Sequence, residues 1–195
     1  MTFIRTAAAV AIGAAFSAAA FAQTTQSITQ RDVNQQQRIE QGLKSGQLST
    51  GEAARLERGE ARVDRMEANA LKDGTLTPAE KARINSAQNA ESRAIERAKT
   101  NAATGNPNSA SSRRMQADVQ RNVNQESRIA QGVRSGELTS REAGKLERGQ
   151  ARVDRQEARA GADGKITANG QRHIQSAENR QSTRIRREKH DAQTR

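Results

Sequence analysis

The chain has 195 residues, a formal net charge of +11, two histidines and no cysteine, tryptophan or tyrosine. The lack of cysteine excludes disulfides, thiolate nucleophiles and cysteine-ligated zinc. All three phenylalanines (Phe3, Phe16 and Phe21) lie near the N-terminus, and the large apolar residues beyond them are too few for a large enzyme core.

The first 22 residues have the three parts of a secretory signal. Arg5 supplies a short positive start, residues 6–20 form a small-apolar run, and Ala20-Phe21-Ala22 fits a small-residue cleavage box. The run is too short to span a membrane well. We therefore predict a signal peptide over residues 1–22, a periplasmic or secreted destination, and a mature protein without aromatic rings or a transmembrane segment.

The mature chain is a tandem duplication. A shift of 90 residues superimposes residues 30–99 on residues 120–189, with 37 of 70 positions identical and no gap. The intervening stretch is rich in Gly, Pro, Asn and Ser, which is typical of a flexible linker. The predicted domains are a first repeat at 28–99, a linker at 100–117, a second repeat at 118–190 and a basic tail at 191–195.

Each repeat reads as three helices separated by two glycine-containing bends. The bends are centred on Gly46 and Gly74 in the first repeat and on Gly136 and Gly164 in the second. Apolar residues between the bends recur at helical spacing, and Thr77-Pro78-Ala79-Glu80 has the composition of a helix start. The predicted fold class is all-α, with two tandem helix-loop-helix-loop-helix units joined by a flexible linker.

The paired bends resemble EF-hand loops. With Gly74 at the sixth loop position, the aliphatic Leu76 and the closing Glu80 fall where that family has them, although Leu71 replaces an oxygen ligand. The resemblance implies degenerate EF-hand pairs and a weak divalent-metal site, with calcium as the candidate ion, at Asn69, Asp73, Thr77 and Glu80. The alternative interpretation is structural: glycine makes the turn, Ser or Thr caps the next helix, and Glu completes a capping box.

The carboxylates of the central helix are predicted to face solvent. Glu57, Glu60, Asp64 and Glu67 alternate with arginines, a pattern typical of exposed ion pairs between residues three and four apart. No catalytic motif accompanies them, and His173 and His190 lack neighbours at ligand spacing. We therefore predict that the protein is not an enzyme and has no catalytic residues.

The basic residues point to an anionic partner. The arginines of the central helices are interleaved with acids, whereas the C-terminal stretch has fewer compensating carboxylates. Arginine rows can bind phosphate or carboxylate groups. The predicted anion-binding residues are Arg184, Arg186, Arg187 and Lys189.

The resulting functional prediction is a non-catalytic periplasmic or secreted binding protein with weak or vestigial calcium binding. Its partner would be an anionic protein or an envelope component. One alternative is an envelope-stress chaperone, because residues 76–80 (LTPAE) are similar to the L-T-x-x-Q motif of such proteins, with Glu in place of Gln. A second alternative is a binder of extracellular DNA, which the charge favours and the missing aromatic rings disfavour.

Overall fold

The computed structural model describes the backbone of residues 13–191 and the side chains of residues 24–191. Most of the predicted signal peptide and residues 192–195 of the predicted tail lie outside the described residues. The described part is all-α, which confirms the all-α part of the predicted fold class. Its six helices are α1 (Gly13–Ser45), α2 (Thr50–Ala70), α3 (Pro78–Thr100), α4 (Ala110–Ser135), α5 (Ser140–Ala160) and α6 (Ala168–Lys189).

The four glycine bends occur where the sequence predicts them. Gly46, Gly74, Gly136 and Gly164 have φ between +77° and +87°, a left-handed conformation that glycine adopts without steric cost. In three of the four bends the next helix starts with a capping box. Its pairs are Ser49 with Glu52, Thr77 with Glu80, and Thr139 with Glu142. The structural interpretation of the bends is therefore confirmed.

The two repeats share their hydrophobic cores. One core joins Ile28 in the middle of α1 to Ile129 and Val133 near the end of α4. The other joins Ile39 on α1 to Val119 near the start of α4. The helices α1 and α4 therefore run antiparallel, each crossing into the other repeat. The sequence left the arrangement of the repeats open, and the structure shows that they interlock; two separate EF-hand-pair units are not confirmed.

The central helices α2 and α5 also pack antiparallel and very closely. A Cβ atom at Gly144 would lie 2.8 Å from the Cβ atom of Leu71, and one at Gly161 would lie 2.9 Å from Ala54. Residues 54 and 144 are equivalent in the duplication, as are residues 71 and 161. The two contacts are thus the same contact seen from either repeat, which indicates an approximate two-fold relation between the repeats.

The connection between the repeats is shorter than predicted. Of the predicted linker at 100–117, only residues 101–109 lie between helices, because Ser109 caps α4 and Met115 is buried in the shared core. The backbone N–H of Gly105 donates to the Gly46 carbonyl (2.8 Å). Within the described residues, no helix has the length and apolar character that crossing a membrane requires.

Candidate functional site: carboxylates in the bundle interior

The acidic residues of α2 lie inside the protein, so the prediction that they face solvent is wrong. Glu57, Glu60, Asp64 and Glu67 are at most 2% exposed, and none forms an ion pair in the part of the chain that the structure describes. Their spacing of three, four and three residues aligns them on one face of the helix. That face packs against α5, while the neighbouring arginines face outward.

Carboxyl groups from all six helices are buried in the same interior. Burial raises the pKa of each, to about 7 for Asp32 and Glu57 and to about 8 for Glu178, because the charged form loses its water. Neighbouring carboxylates raise several of these pKa values further. The full set of buried acids with raised pKa is Asp32, Glu57, Glu60, Asp64, Glu67, Glu91, Asp118, Glu126, Glu147, Asp154, Glu157 and Glu178.

Five of these acids form a group that we call cluster A: Asp32, Asp64, Glu67, Glu126 and Glu147. Oxygen atoms of Asp32, Glu126 and Glu147 lie within 4.8 Å of one another, although they come from three different helices. Glu67 is coupled electrostatically to Asp32 and Glu147, and Asp64 to Glu126. Cluster A therefore concentrates oxygen atoms at one point in the bundle.

Cluster A has few hydrogen-bond donors. The Nε2 atom of Gln88 donates to Asp32 Oδ1 (2.7 Å) and to Glu67 Oε1 (3.0 Å). Among the described residues, neither oxygen of Glu147 has a hydrogen-bond partner, and each of the other four acids has one buried oxygen without a partner. Buried polar atoms are normally paired, so this arrangement lacks compensating positive charge.

The duplication creates a second group, cluster B, at the equivalent positions: Gln36, Glu57, Asn122, Asp154 and Glu157. Here the Nδ2 atom of Asn122 points at three carboxylates, reaching Glu157 Oε2 at 2.8 Å, Asp154 Oδ1 at 3.3 Å and Glu57 Oε2 at 3.5 Å. The Nε2 atom of Gln36 adds a donor to Glu57 (3.0 Å). Oxygen atoms of Glu57, Asp154 and Glu157 also lie within 4.8 Å of one another, but each of these acids accepts from an amide within the cluster, whereas in cluster A the Gln88 amide reaches Asp32 and Glu67 and leaves Glu147 without a donor.

The difference between the clusters follows a regular exchange. At five buried positions, one repeat has a carboxyl group and the other has a carboxamide of the same chain length, so the shape is kept while the charge changes. The pairs are Asp32 with Asn122, Glu126 with Gln36, Glu60 with Gln150, Glu91 with Gln181, and Glu178 with Gln88.

The two clusters meet at the approximate two-fold axis. Asp64 and Asp154, which are equivalent residues, interact directly: besides burial, the charge of Asp154 and a side-chain hydrogen bond to it raise the pKa of Asp64, whereas the same hydrogen bond lowers the pKa of Asp154. A bond of this kind requires a shared proton. Two carboxyl groups in this contact therefore need a proton, or a cation in its place, to offset their charge.

The residues of the predicted loop site have structural roles at the surface. Asp73 Oδ1 accepts hydrogen bonds from the N–H and the hydroxyl of Thr75 (both 2.9 Å). Glu80 Oε2 accepts from Thr77 N–H (2.9 Å) and from its hydroxyl (2.6 Å), and Asn69 is exposed. These hydrogen bonds lower the pKa values of Asp73 and Glu80. The stretch similar to the chaperone motif is therefore a capping box in this fold.

The predicted anion-binding residues lie on the last turns of α6. Arg186 and Arg187 are exposed, Arg184 is half-buried beside α5, and Lys189 pairs with Glu137 Oε2 at 3.2 Å. A further acidic group near them, formed by Glu142, Glu188 and Asp191, differs from cluster A because its members have partners. For example, Glu188 pairs with Lys145 at 3.5 Å.

No protein-family model matches the chain, and no curated protein or solved structure is significantly similar to it. The EF-hand resemblance therefore stays a prediction. The chemistry of the interior rests on the donor set itself. Carboxylate and amide oxygens without nitrogen or sulfur ligands are the set that Ca²⁺, Mg²⁺ and Mn²⁺ prefer over zinc or copper.

Proposed function

We propose that the chain is a non-catalytic, exported binding protein that holds a hard cation in cluster A and contacts an anionic partner through its basic surface. A single observation supports the cation: in cluster A neither oxygen of Glu147 has a hydrogen-bond donor among the described residues, whereas its counterpart Glu57 in cluster B accepts from Gln36 and Asn122. The same backbone positions thus have two chemistries, one in which amides neutralise the carboxylates and one in which something else must do so.

Calcium is the ion to test first. It takes six to eight oxygen ligands and tolerates irregular geometry, and carboxylates can bind it through one or both oxygens. Magnesium retains several of its waters and demands a regular octahedron, which suits a buried, carboxylate-crowded interior less well. The proposal moves the predicted calcium site from the loop at Asn69–Glu80 to the helices, and leaves the EF-hand resemblance as a proposal about the origin of the bends.

Two alternatives compete with this proposal. In the first, protons occupy the interior, because neutral carboxylic acids can hydrogen-bond to one another. In the second, the loop residues Asp73 and Glu80 bind the ion, as the EF-hand resemblance implies. The three possibilities predict different responses to calcium, to pH and to substitution.

The test is to measure the melting temperature of the protein at neutral pH as calcium is added. Ligands that bind the folded state alone raise stability with concentration, so the wild type is expected to show a rising melting temperature. Glu147→Gln removes the ligand whose two oxygens are unpartnered and is expected to abolish the rise. Magnesium in place of calcium controls for general screening of charge.

The duplication offers a matched control. Glu57 is the repeat equivalent of Glu147, and Glu57→Gln in the amide-rich cluster B is expected to leave the calcium response intact. Glu80→Gln tests the loop instead, since Gln can also complete a capping box. A calcium response that survives Glu147→Gln and disappears in Glu80→Gln would reject the interior site in favour of the loop. No response in the wild type would reject cation binding.

A further inference from the structure

The helices α2 and α5 separate their charges completely between inside and outside. Every acidic residue on these two helices is buried. Their arginines point away from the interior, and six of them form what we call the α2–α5 basic face: Arg58, Arg62, Arg65, Arg148, Arg152 and Arg155. Five are exposed and Arg155 is half-buried. An exposed helical face normally mixes both signs of charge, so an all-cationic face is a specific feature.

The arginines of this face have few acidic partners within the protein, although the charge of Arg62 partly offsets the burial that raises the pKa of Glu91. Across residues 24–191, none of the six takes part in an ion pair. Arg155 donates through Nε to the Ala151 carbonyl (2.8 Å). Its partial burial and its neighbours Arg65, Arg159 and Arg152 lower its pKa, which reflects crowding of like charges. The guanidinium groups of this face are therefore available to bind an anionic partner.

One apolar side chain stands among these arginines. Met66 is 37% exposed, and among the described residues no other large hydrophobic side chain is exposed. It lies with Arg58, Arg62, Arg65 and Arg155 in a groove of about 500 Å³. The equivalent residue of the second repeat is Gln156, so the apolar element belongs to the first repeat.

We propose that the α2–α5 basic face binds the surface of an anionic lipid bilayer. Guanidinium groups can hold lipid phosphates in bidentate fashion, and basic residues near an anionic surface add their attractions. Met66 and the arginine stems give the face the apolar contribution that interfacial binding uses. A nucleic acid would gain less from Met66 than a bilayer would, and this face offers it no aromatic side chain to stack on. This inference names the partner in the proposed function and is independent of the cation in cluster A.

The experiment is co-sedimentation of the protein with vesicles of phosphatidylcholine alone, and with vesicles that also contain phosphatidylglycerol. Binding is expected to the second kind alone and to weaken as salt is added. Each basic residue near the surface contributes roughly fivefold in affinity. The double variant Arg58→Gln/Arg62→Gln is thus expected to lose roughly twenty- to thirtyfold.

The matched control is Arg93→Gln/Arg97→Gln, which removes the same charge from exposed positions on α3 and is expected to lose much less. Met66→Gln installs the residue of the second repeat and is expected to reduce binding while the salt dependence stays the same. Equal losses in both double variants, or equal binding to both kinds of vesicle, would overturn the assignment. Duplex DNA that binds the wild type and displaces it from vesicles, with no effect of Met66→Gln, would favour a nucleic acid instead. The calcium titration uses no lipid, so either proposal can fail alone.

Discussion

Clusters A and B occupy equivalent positions of one duplicated fold and neutralise their carboxylates in different ways. In cluster B, Asn122 and Gln36 direct amide N–H groups at the acids around them. In cluster A the corresponding residues are Asp32 and Glu126, and they add charge to the same space. A buried amide can thus be replaced by a carboxyl group of the same shape, provided that a proton or a cation supplies the positive charge that the amide N–H groups directed at the neighbouring carboxylates.

The difference also explains why burial alone does not identify a binding site. Both clusters are buried and acidic, and in both the pKa values are raised by the loss of water. The distinguishing property is the number of hydrogen-bond donors that contact each carboxylate. That number depends on whether the neighbouring side chain is an amide or a carboxyl group. The following predictions exchange the amide and carboxyl side chains, or change the pH and the calcium concentration.

The largest effect is expected when cluster B is given the composition of cluster A. The double variant Asn122→Asp/Gln36→Glu removes four amide hydrogen bonds and adds two buried acids. Because a buried charge without a partner costs several kcal/mol, we expect a loss of more than about 3 kcal/mol in the free energy of unfolding at neutral pH. Thermal unfolding monitored by circular dichroism checks this. A variant as stable as the wild type would show that the amides are not needed.

The reverse change is expected to stabilise the protein without calcium. In Asp32→Asn/Glu126→Gln, cluster A acquires the amides of cluster B, and two carboxyl groups with raised pKa are removed. Neutral replacement of buried ionic groups is often favourable, so we expect a gain of about 2 kcal/mol at neutral pH. The calcium response should vanish in the same variant. A gain in stability with the calcium response retained would separate the two effects and move the ion elsewhere.

The pH dependence is expected to distinguish protons from a cation. The interior carboxyl groups have raised pKa values, so the folded state binds more protons than the unfolded state over a pH window. For Asp32 and Glu57 this window runs from their ordinary pKa values up to a pKa of about 7. Without calcium, stability is therefore fully present below the ordinary pKa and falls as the pH rises through this window. With calcium bound, the carboxylates are already deprotonated, and the fall should be reduced.

Urea unfolding at several pH values, with calcium and with a chelator, measures both curves. A stability that rises with pH in chelator would contradict the raised pKa values. Identical curves with and without calcium would leave protons as the occupants of the interior.

The parts of the fold that depend on local chemistry could be predicted from the sequence. A left-handed turn favours glycine, so Gly46 and Gly136 mark bends in the sequence. Thr77 caps a helix with the help of the residues that directly follow it, so the helix start is also recognisable. The side on which Glu57 and Asp64 lie depends on α5, which is about 90 residues away. Alternation with arginine suggested an exposed helix, because each acid has a basic neighbour in sequence.

A signal for the buried acids was nevertheless present. Glu57, Glu60, Asp64 and Glu67 recur with intervals of three, four and three, which is the spacing of a helix seam, and the arginines follow a second stripe of similar period. Two stripes of opposite charge with the same period cannot both face the same way. Deciding which one faced inward required knowledge that the repeats interlock, since a single repeat offers no partner for either stripe.

The smallest expected effect separates the loops from the interior. Thr77→Ala removes the N-cap of α3, whose hydroxyl accepts the Glu80 N–H at 3.2 Å, and should cost about 1 kcal/mol in the free energy of unfolding. Thr167→Ala removes the equivalent cap of α6, where Gly170 stands in place of the capping glutamate, and should cost a similar or smaller amount. Both variants should respond to calcium as the wild type does, because neither cap contacts cluster A. If Thr77→Ala alone abolished the response, the hydroxyl would be acting as a ligand, and the contrast between the two clusters would no longer account for the binding.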